Sequence, residues 1–365
     1  MSDGVRSSLG GDPDDGLLLC AFVVCGVDQL PLDVLAAASG AHGATLRARL
    51  RRLAERGLVT EPTAGDDMVG IRHRPVESPS AQEESLALRI GRHLRDSTAS
   101  TGRRDDVLRS VRWSVVGVMR WELGHGLAED AVKLARAWWP VAGAVGDPVW
   151  MKELADVGER AAIELRDPAA LIELLTAAAK SADWAGDWLM AEARWVRVLS
   201  LARAQKKHDV VCATLSELGD FYHRWGRLHR AMDVLSDLVA TCDRVHDKRG
   251  ALTAQRDLAV VLLEADRVAA AVPHLVRAVA LAAEDDAIED GAHAELLIML
   301  GRAHWMSNKI RAGREAFSGA LALLVDIDAD GADHVRSLLA TPDDGSLPLR
   351  ASDAIGQRGW RPRPP

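Results

Sequence analysis

Apolar residues return every three or four positions along most of the chain, and strand signals are nearly absent. One Tyr and three Phe interrupt long Ala, Leu, Arg and Glu stretches at helical spacing, so the sequence predicts an almost entirely α-helical protein. The exception lies near the N-terminus. After a polar leader over residues 1–15, an apolar helix is expected to run to about Gly26, followed by helices over 30–40 and 44–57. Ser39-Gly40 closes the second of these and Gly57 caps the third. Two short strands are predicted at 58–61 and 68–73, with Gly65-Asp66-Asp67 turning between them. From 80 to about 209 the spacing stays helical but yields no clean internal period. Eight of the eleven Trp fall between Trp113 and Trp195 in this stretch, where Pro140, Pro148 and Pro168 read as interhelix turns.

Beyond this block the chain becomes periodic. Leu218-Gly219-Asp220-Phe221-Tyr222, followed by Ala231, Leu235 and Leu238, returns 40 residues later as Leu258-Ala259-Val260-Val261-Leu262 with Ala271, Leu275 and Ala278. It returns after a further 42 residues as Leu300-Gly301-Arg302-Ala303-His304 with Gly313, Phe317 and Ala320. Small residues stand where two helices must cross closely, and large apolar ones where a helix plugs into its neighbour. Each unit is a helix hairpin that cannot bury its apolar face alone, so the copies are expected to stack. The pattern resembles the tetratricopeptide repeat (TPR), whose L-G-x-x-Y, A, F and A positions are matched best by the first copy. The second departs at Ala259 and Leu262, the third at His304 and Gly313. A step above the usual figure of about 34 residues implies longer loops between repeats, as in the regulatory TPR arrays of signalling ATPases. A fourth, degenerate unit is expected over 168–204.

Three helices followed by a hairpin, over 16–78, is the order of a winged helix-turn-helix. A winged helix ending in Ile71-Arg72-His73, a helical arm over 80–209 with Trp138-Trp139, and long-step repeats over 210–340 together resemble the C-terminal half of bacterial STAND ATPases, the NB-ARC-type regulators. The resemblance covers about residues 16–325 as an order of parts. It implies an all-α fold: an N-terminal winged helix-turn-helix with a small β-hairpin, then a helical arm and a TPR-like α-solenoid. In that family a preceding ATPase domain carries G-x-x-x-x-G-K-[ST], whose glycines let backbone N–H groups cradle phosphates while the Lys neutralises them. The chain has no such run, and Gly10, Gly11 and Gly16 sit among aspartates. The resemblance therefore implies sensor and adaptor parts without the motor, and no nucleotide cofactor.

Two sets of residues carry candidate recognition chemistry. The third helix holds Arg47, Arg49, Arg51, Arg52 and Arg56 against a single acid, Glu55, and Arg72, His73 and Arg74 would supply the wing. With Leu46, Leu50 and Leu53 facing the core, Arg47, Arg51, Arg52 and Arg56 fall on the outer side, where a DNA-binding winged helix meets bases and phosphates. The competing reading is a packing or docking module, which is the winged helix's main role in STAND proteins. In a TPR superhelix the first helix of each hairpin lines the concave groove, and the family's offsets from the Leu-Gly pair select Asp220, His223 and Arg224, then Arg256, Val260 and Glu264, then Glu295, Arg302 and Trp305. Arg224, Arg256 and Arg302 would clamp a carboxylate or acidic peptide, and Trp305 would stack on an apolar anchor.

Other features are weaker. Trp184, Trp188 and Trp195 share a helix face if Gly186 does not break it, although core filling is the expected use of Trp in a chain so poor in Phe and Tyr. Asp326, Asp328 and Asp330-Gly331 begin like a calcium loop, but the twelfth place, which needs a bidentate Glu, is Ser337. The acidic run Glu284, Asp285, Asp286, Glu289, Asp290 reads as a solvated turn. No nucleophile elbow, zincin motif or metal-spaced cluster is present, so neither a cofactor nor a metal is expected, with a catalytic site assembled from distant residues as the lesser alternative.

Composition narrows the setting. Hydrophobic residues make up 48%, charged residues 27%, and the net charge is -8 over 365 residues, a globular balance that excludes a globally basic coat protein and suggests two or three domains. Cys20, Cys25, Cys212 and Cys242 are too sparse for a disulfide scaffold, which points to a reducing compartment, the cytoplasm. The apolar run from Leu17 to Val27 falls short of the roughly 20 residues a bilayer demands. The last stretch, 341–365, is rich in Pro, Gly and Arg and is expected to be disordered. The sequence thus reads as a non-catalytic adaptor or regulator binding a protein or peptide. Its rival is a DNA-binding transcriptional regulator whose repeats sense a signal, and homo-oligomerisation stays open.

Overall fold

The computed structural model describes residues 13–60, 68–72, 80–97, 105–285 and 287–342. The predicted turn at Gly65–Asp67, the wing residues His73 and Arg74, most of the leader and nearly all of the C-terminal tail lie outside them. Among the described residues the fold is all-α apart from one two-stranded sheet. The chain divides into two compact units, Met1–Arg197 and Val198–Pro365.

The first unit opens with α1 (Pro13–Cys25), β1 (Gln29–Pro31), α2 (Leu32–Ser39), α3 (Gly43–Glu55) and β2 (Met68–Gly70). Gly40 and Gly57 adopt left-handed backbone after α2 and α3, as their positions in the sequence predicted. The strands differ from expectation. Residues 30 and 31, read as the start of a helix, form β1 and pair antiparallel with β2, Leu30 opposite Val69. Pro31 lacks an N–H and holds extended backbone at ψ 148°, so it ends a strand and leads into α2 instead of joining it. The predicted strand at 58–61 contributes a single bridge, Val59 to Ile71, backed by Thr60 N–H donating to the Gly70 carbonyl at 2.7 Å. Leu18 and Phe22 of α1, Leu35 of α2, and Leu50 and Leu53 of α3 are fully buried together.

Five helices follow: α4 (Ser80–Ser97), α5 (Asp105–Gly124), α6 (Ala128–Val145), α7 (Pro148–Leu165) and α8 (Pro168–Trp184); α9 (Trp188–Ala204) contains the boundary between the units. Pro148 and Pro168 begin helices, where a missing N–H costs nothing. Pro140 is not a turn; it lies inside α6. Buried Trp138 and Ala142 flank it, and Trp138 Nε1–H donates to the Leu94 carbonyl at 3.0 Å, anchoring α6 across the bond the proline forfeits. Gly186, at φ 75°, does break the helix between Trp184 and Trp188. Trp195 is core at 2% exposure while Trp184 is 45% exposed, so these tryptophans form no common face.

The stretch expected to lack a period has one. Left-handed backbone recurs at Gly126, Gly146, Arg166, Gly186, Lys206, Gly226, His246 and Asp266, a step of 20 residues each time. Every step is one helix and its turn. Asp often follows the left-handed residue and caps the next helix: Asp147 accepts from Val149 N–H and Trp150 N–H at 3.1 and 3.2 Å, Asp167 from Ala169 N–H at 2.8 Å, and Asp247 from Gly250 N–H at 2.9 Å. Each such cap is worth about 1 kcal/mol.

The second unit continues with α10 (His208–Arg224), α11 (Leu228–Val245), α12 (Lys248–Glu264), α13 (Val268–Ala283), α14 (Asp290–Met306), α15 (Ile310–Leu324) and α16 (Ala329–Leu339). The small-to-large pairing read from the repeats is realised. A Cβ on Gly219 would lie 2.6 Å from Leu235 Cδ2, and one on Gly301 2.5 Å from Phe317 Cε1; Ala259 and Leu275, at the same offset, are fully buried. The extra residues before the third copy form the acidic loop, which is tied down: Lys248 Nζ contacts Glu284 at 2.9 Å and Arg249 Nε contacts Asp285 at 2.9 Å. Asp328 caps α16 by accepting from Gly331 N–H at 3.1 Å, a helix-start role for part of the calcium-like run.

Candidate functional site

Two surfaces, one in each unit, hold the residues singled out by the sequence. In the second unit, the C-terminal ends of α10 and α12 lie side by side. His223 Nε2 contacts Glu264 Oε2, and the His223 side chain is only 8% exposed. Arg256 closes on its neighbour Asp257, with Nε and Nη2 at 2.9 and 2.8 Å from one carboxylate oxygen. Asp220 reaches solvent, yet its carboxyl pKa is raised, first by desolvation and then by the charges of Asp257 and Glu217, with Arg224 and His223 opposing. Desolvation raises the Asp257 carboxyl as well, against the pull of Arg256. The face thus gathers Glu217, Asp220, Asp257 and Glu264 beside Arg224, Arg256 and His223, with burial the main reason the Asp220 and Asp257 carboxyls are raised.

Asp257 and Glu217 escaped the sequence reading. They occupy the same place in successive copies, 40 residues apart and one position before the Leu-Ala and Leu-Gly pairs; that recurrence was the available signal. Val260 is half-buried on α12 and Glu295 is exposed on α14. Two expected groove residues are not on an open face. Trp305 is 4% exposed and packs against Phe317 at 6.3 Å between ring centroids, with the Arg314 guanidinium 5.9 Å from its ring. Arg302 is 8% exposed and meets His334 Nε2 at 2.8 Å; burial and the Arg302 charge lower the His334 pKa, so its ring stays neutral and accepts. The cause is α16, which packs with α14 and α15 in one core. The family's offsets from the Leu-Gly pair do not include a helix that covers the last copy, as α16 does here.

In the first unit, Arg47, Arg51, Arg52, Arg56 and Arg72 are exposed and Arg49 is half-buried. The outer face of α3 is only partly available. Asp15 of α1, 6% exposed, draws in Arg52 Nη2 at 3.4 Å and Arg56 Nη1 at 4.0 Å, so these two guanidiniums fasten α3 to α1. A concavity of about 420 Å³ lies beside α5, lined by Val23, Val27, Trp113 and Trp121. Arg120 at its edge is held by Glu153. Among the described residues no three His, Cys, Asp or Glu side chains gather to hold a metal, and no helix is long and apolar enough to cross a membrane.

No protein-family model and no curated protein matches the chain. Solved structures similar to it include nearly identical TPR-like repeats from Podosopora anserina, at 18% identity over 62% of this chain and 99% of that one, with a TM-score of 0.40. BtubC from P. vanneervenii is similar at 16% identity over 74% and 95%, TM-score 0.43. A STAND protein with a tetratricopeptide repeat sensor from Pyrococcus horikoshii is similar at 11% identity over 90% and 66%, TM-score 0.38. These are likenesses of helical architecture.

Proposed function

We propose that the chain is a non-catalytic adaptor or regulator whose TPR-like repeats take a protein or peptide partner along the face shared by α10 and α12, while the segment from α1 to β2 acts as a winged-helix docking module. What supports this reading is the gathering of Glu217 and Asp220 of α10 with Asp257 of α12: burial raises the Asp220 carboxyl first, and the charges of Asp257 and Glu217 raise it further. A Lys or Arg side chain from a partner would relieve that repulsion, so the preferred occupant is a cationic extended segment. Asp220, His223, Arg224, Arg256, Asp257 and Glu264 form the contact set, with His223 and Glu264 joining α10 to α12. Arg256, engaged with Asp257, orients a carboxylate in this reading instead of clamping an anion. The test is fluorescence anisotropy of the full chain against Lys/Arg-rich and Asp/Glu-rich peptides of equal length at two salt concentrations. The cationic peptide should bind, weaken with salt, and lose at least tenfold in affinity with Asp220→Asn plus Asp257→Asn. Equal binding of both peptides, or no response to the double substitution, overturns the reading.

A second reading, a DNA-binding regulator, is favoured by one observation, the exposure of Arg47, Arg51 and Arg72 around α3 and the end of β2. The link from Arg52 and Arg56 to Asp15 favours packing instead. DNA binding would fall with salt at a log-log slope of about -0.9 per phosphate neutralised and would disappear with Arg47→Ala plus Arg51→Ala.

A further inference from the structure

Cys212 on α10 and Cys242 on α11 face each other across one hairpin with their Sγ atoms 3.8 Å apart, near van der Waals contact. Cys212 is half-buried and Cys242 fully enclosed. Cys212 lies a turn into α10 and Cys242 in the last turn of α11. The pair therefore spans the end of the hairpin opposite its connecting turn, where no chain link joins the two helices.

We propose that Cys212 and Cys242 form a reversible intramolecular disulfide that staples the open end of the α10–α11 hairpin when the protein meets a peroxide. A disulfide needs the sulfurs to close from 3.8 Å to about 2.05 Å by rotation of the two side chains. The chemistry balances. The Cys212 thiolate attacks one peroxide oxygen, the O–O bond breaks, hydroxide leaves and a sulfenic acid forms. The Cys242 sulfur then attacks the Cys212 sulfur, the S–O bond breaks, and the oxygen departs as water with the proton that Cys242 gives up. Two electrons pass from the thiols to the peroxide, and a small-molecule thiol returns them by exchange.

The surroundings set the rate. Burial raises both thiols, that of Cys242 to about 12. At Cys212 the hydrogen bond from Cys242 and the Arg244 charge counter the effect while Asp247 and Asp209 add to it, and at Cys242 it is reinforced by Cys212, Asp247 and Asp243. The pair is accordingly protonated at neutral pH and resists mild oxidants, and oxidation accelerates about tenfold per pH unit as the thiolate fraction grows. The half-buried Cys212 reacts first and the enclosed Cys242 resolves it. Cys20 and Cys25, both buried in α1, serve as internal controls. The staple fixes the half of α10 that precedes Asp220 and His223, and it stands whether or not the peptide-binding reading does.

The test treats the full chain with hydrogen peroxide at pH 7 and pH 8, under conditions where circular dichroism shows it folded. Remaining thiols are then alkylated, and intact mass and non-reducing peptide maps are read. The expected result is the loss of two hydrogen masses, one peptide pair joining Cys212 to Cys242, faster formation at pH 8, and reversal by dithiothreitol. Cys212→Ser and Cys242→Ser should each abolish the crosslink, the first leaving Cys242 unmodified and the second leaving Cys212 oxidised without a partner. Crosslinks scattered over pairs with Cys20 or Cys25, or sulfinic acid at Cys212 beside a free Cys242 in the unsubstituted chain, overturn the proposal.

Discussion

Gly117 in the first unit and Gly219 and Gly301 in the second do different jobs at helix crossings. In the first, a Cβ on Gly117 of α5 would fall 1.6 Å from the Cys25 carbonyl oxygen at the end of α1, so backbone lies directly on backbone. In the second, Gly219 and Gly301 make room for side chains, Leu235 and Phe317. A side chain can rotate or shift; a carbonyl in a helix end cannot move without carrying its helix along. Among the described residues, buried polar groups are paired in some places and unpaired in others in both units. In the second unit Thr214 donates to the Val210 carbonyl at 2.7 Å and Gln255 meets His274 at 2.6 Å. In the first, the side chains of Ser114, Glu122 and Ser181 are fully buried without a hydrogen-bond partner among the described residues. The second unit leaves buried atoms unpaired among the described residues as well, Trp305 Nε1 and His304 Nδ1 included, so the difference that stands is backbone against backbone at Gly117 and side chains against glycine at Gly219 and Gly301.

The sharpest way to break this contrast is Gly117→Ala. Overpacking against backbone should cost about 3 kcal/mol or more, read as a fall in the urea midpoint or outright loss of the folded first unit; a cost below about 1 kcal/mol would show that the crossing yields. Next comes the carboxyl of Glu122, fully buried and raised to about 8 by desolvation and by Asp130, with Arg95 and Lys133 opposing. The folded state then keeps a proton that the unfolded chain releases near 4.5. Stability should therefore fall as pH rises from about 4.5 to about 8, by at most about 1.4 kcal/mol per pH unit, and level off above. Glu122→Gln should flatten that slope in thermal melts across the window, and an unchanged slope would assign it elsewhere.

Smaller effects sharpen the side-chain half of the comparison. Gly301→Ala meets the Phe317 ring and, at 3.0 Å, the Gly313 carbonyl, whereas Gly219→Ala meets only Leu235. After the helix-propensity gain of about 1 kcal/mol, the first should cost about 2 kcal/mol and the second about 1 kcal/mol in denaturant melts; the reverse order would mean that Leu235 is the less adaptable knob. The smallest change is expected at Lys206, left-handed at φ 56°, a place in the 20-residue step that Gly fills elsewhere. Lys206→Gly should be neutral to stabilising by up to about 1 kcal/mol, and a clear loss would indicate a structural role for the side chain.

Much of the second unit was legible because identical offsets recur. Gly219 and Leu235, and Gly301 and Phe317, stand at the same offset in their copies, and the structure brings each small residue against its large one. The same period was present upstream, marked by Gly146-Asp147-Pro148 and Arg166-Asp167-Pro168, yet it stayed hidden because the repeating feature is a turn and cap instead of an apolar pattern. Within the candidate site, the family's offsets select Asp220, His223 and Glu264, and the structure brings His223 to Glu264 beside Asp220. Asp257 follows Arg256 directly in the sequence, and Arg302 and Trp305 are buried where α16 packs with α14 and α15.

By itself the sequence determined that this is a helical protein whose second half is built of recurring helix hairpins, and that Gly40, Gly57, Pro148 and Pro168 stand at helix ends. These follow from local backbone preference and from the need to bury an apolar stripe, both written within a few turns of chain. Only the tertiary structure decided which charges meet: Asp15 taking Arg52 and Arg56, His223 reaching Glu264, Asp220 crowded by Asp257, Cys212 touching Cys242. Those encounters join residues tens of positions apart, and their energies depend on burial and on a few ångströms of separation, quantities that exist only once the helices have packed.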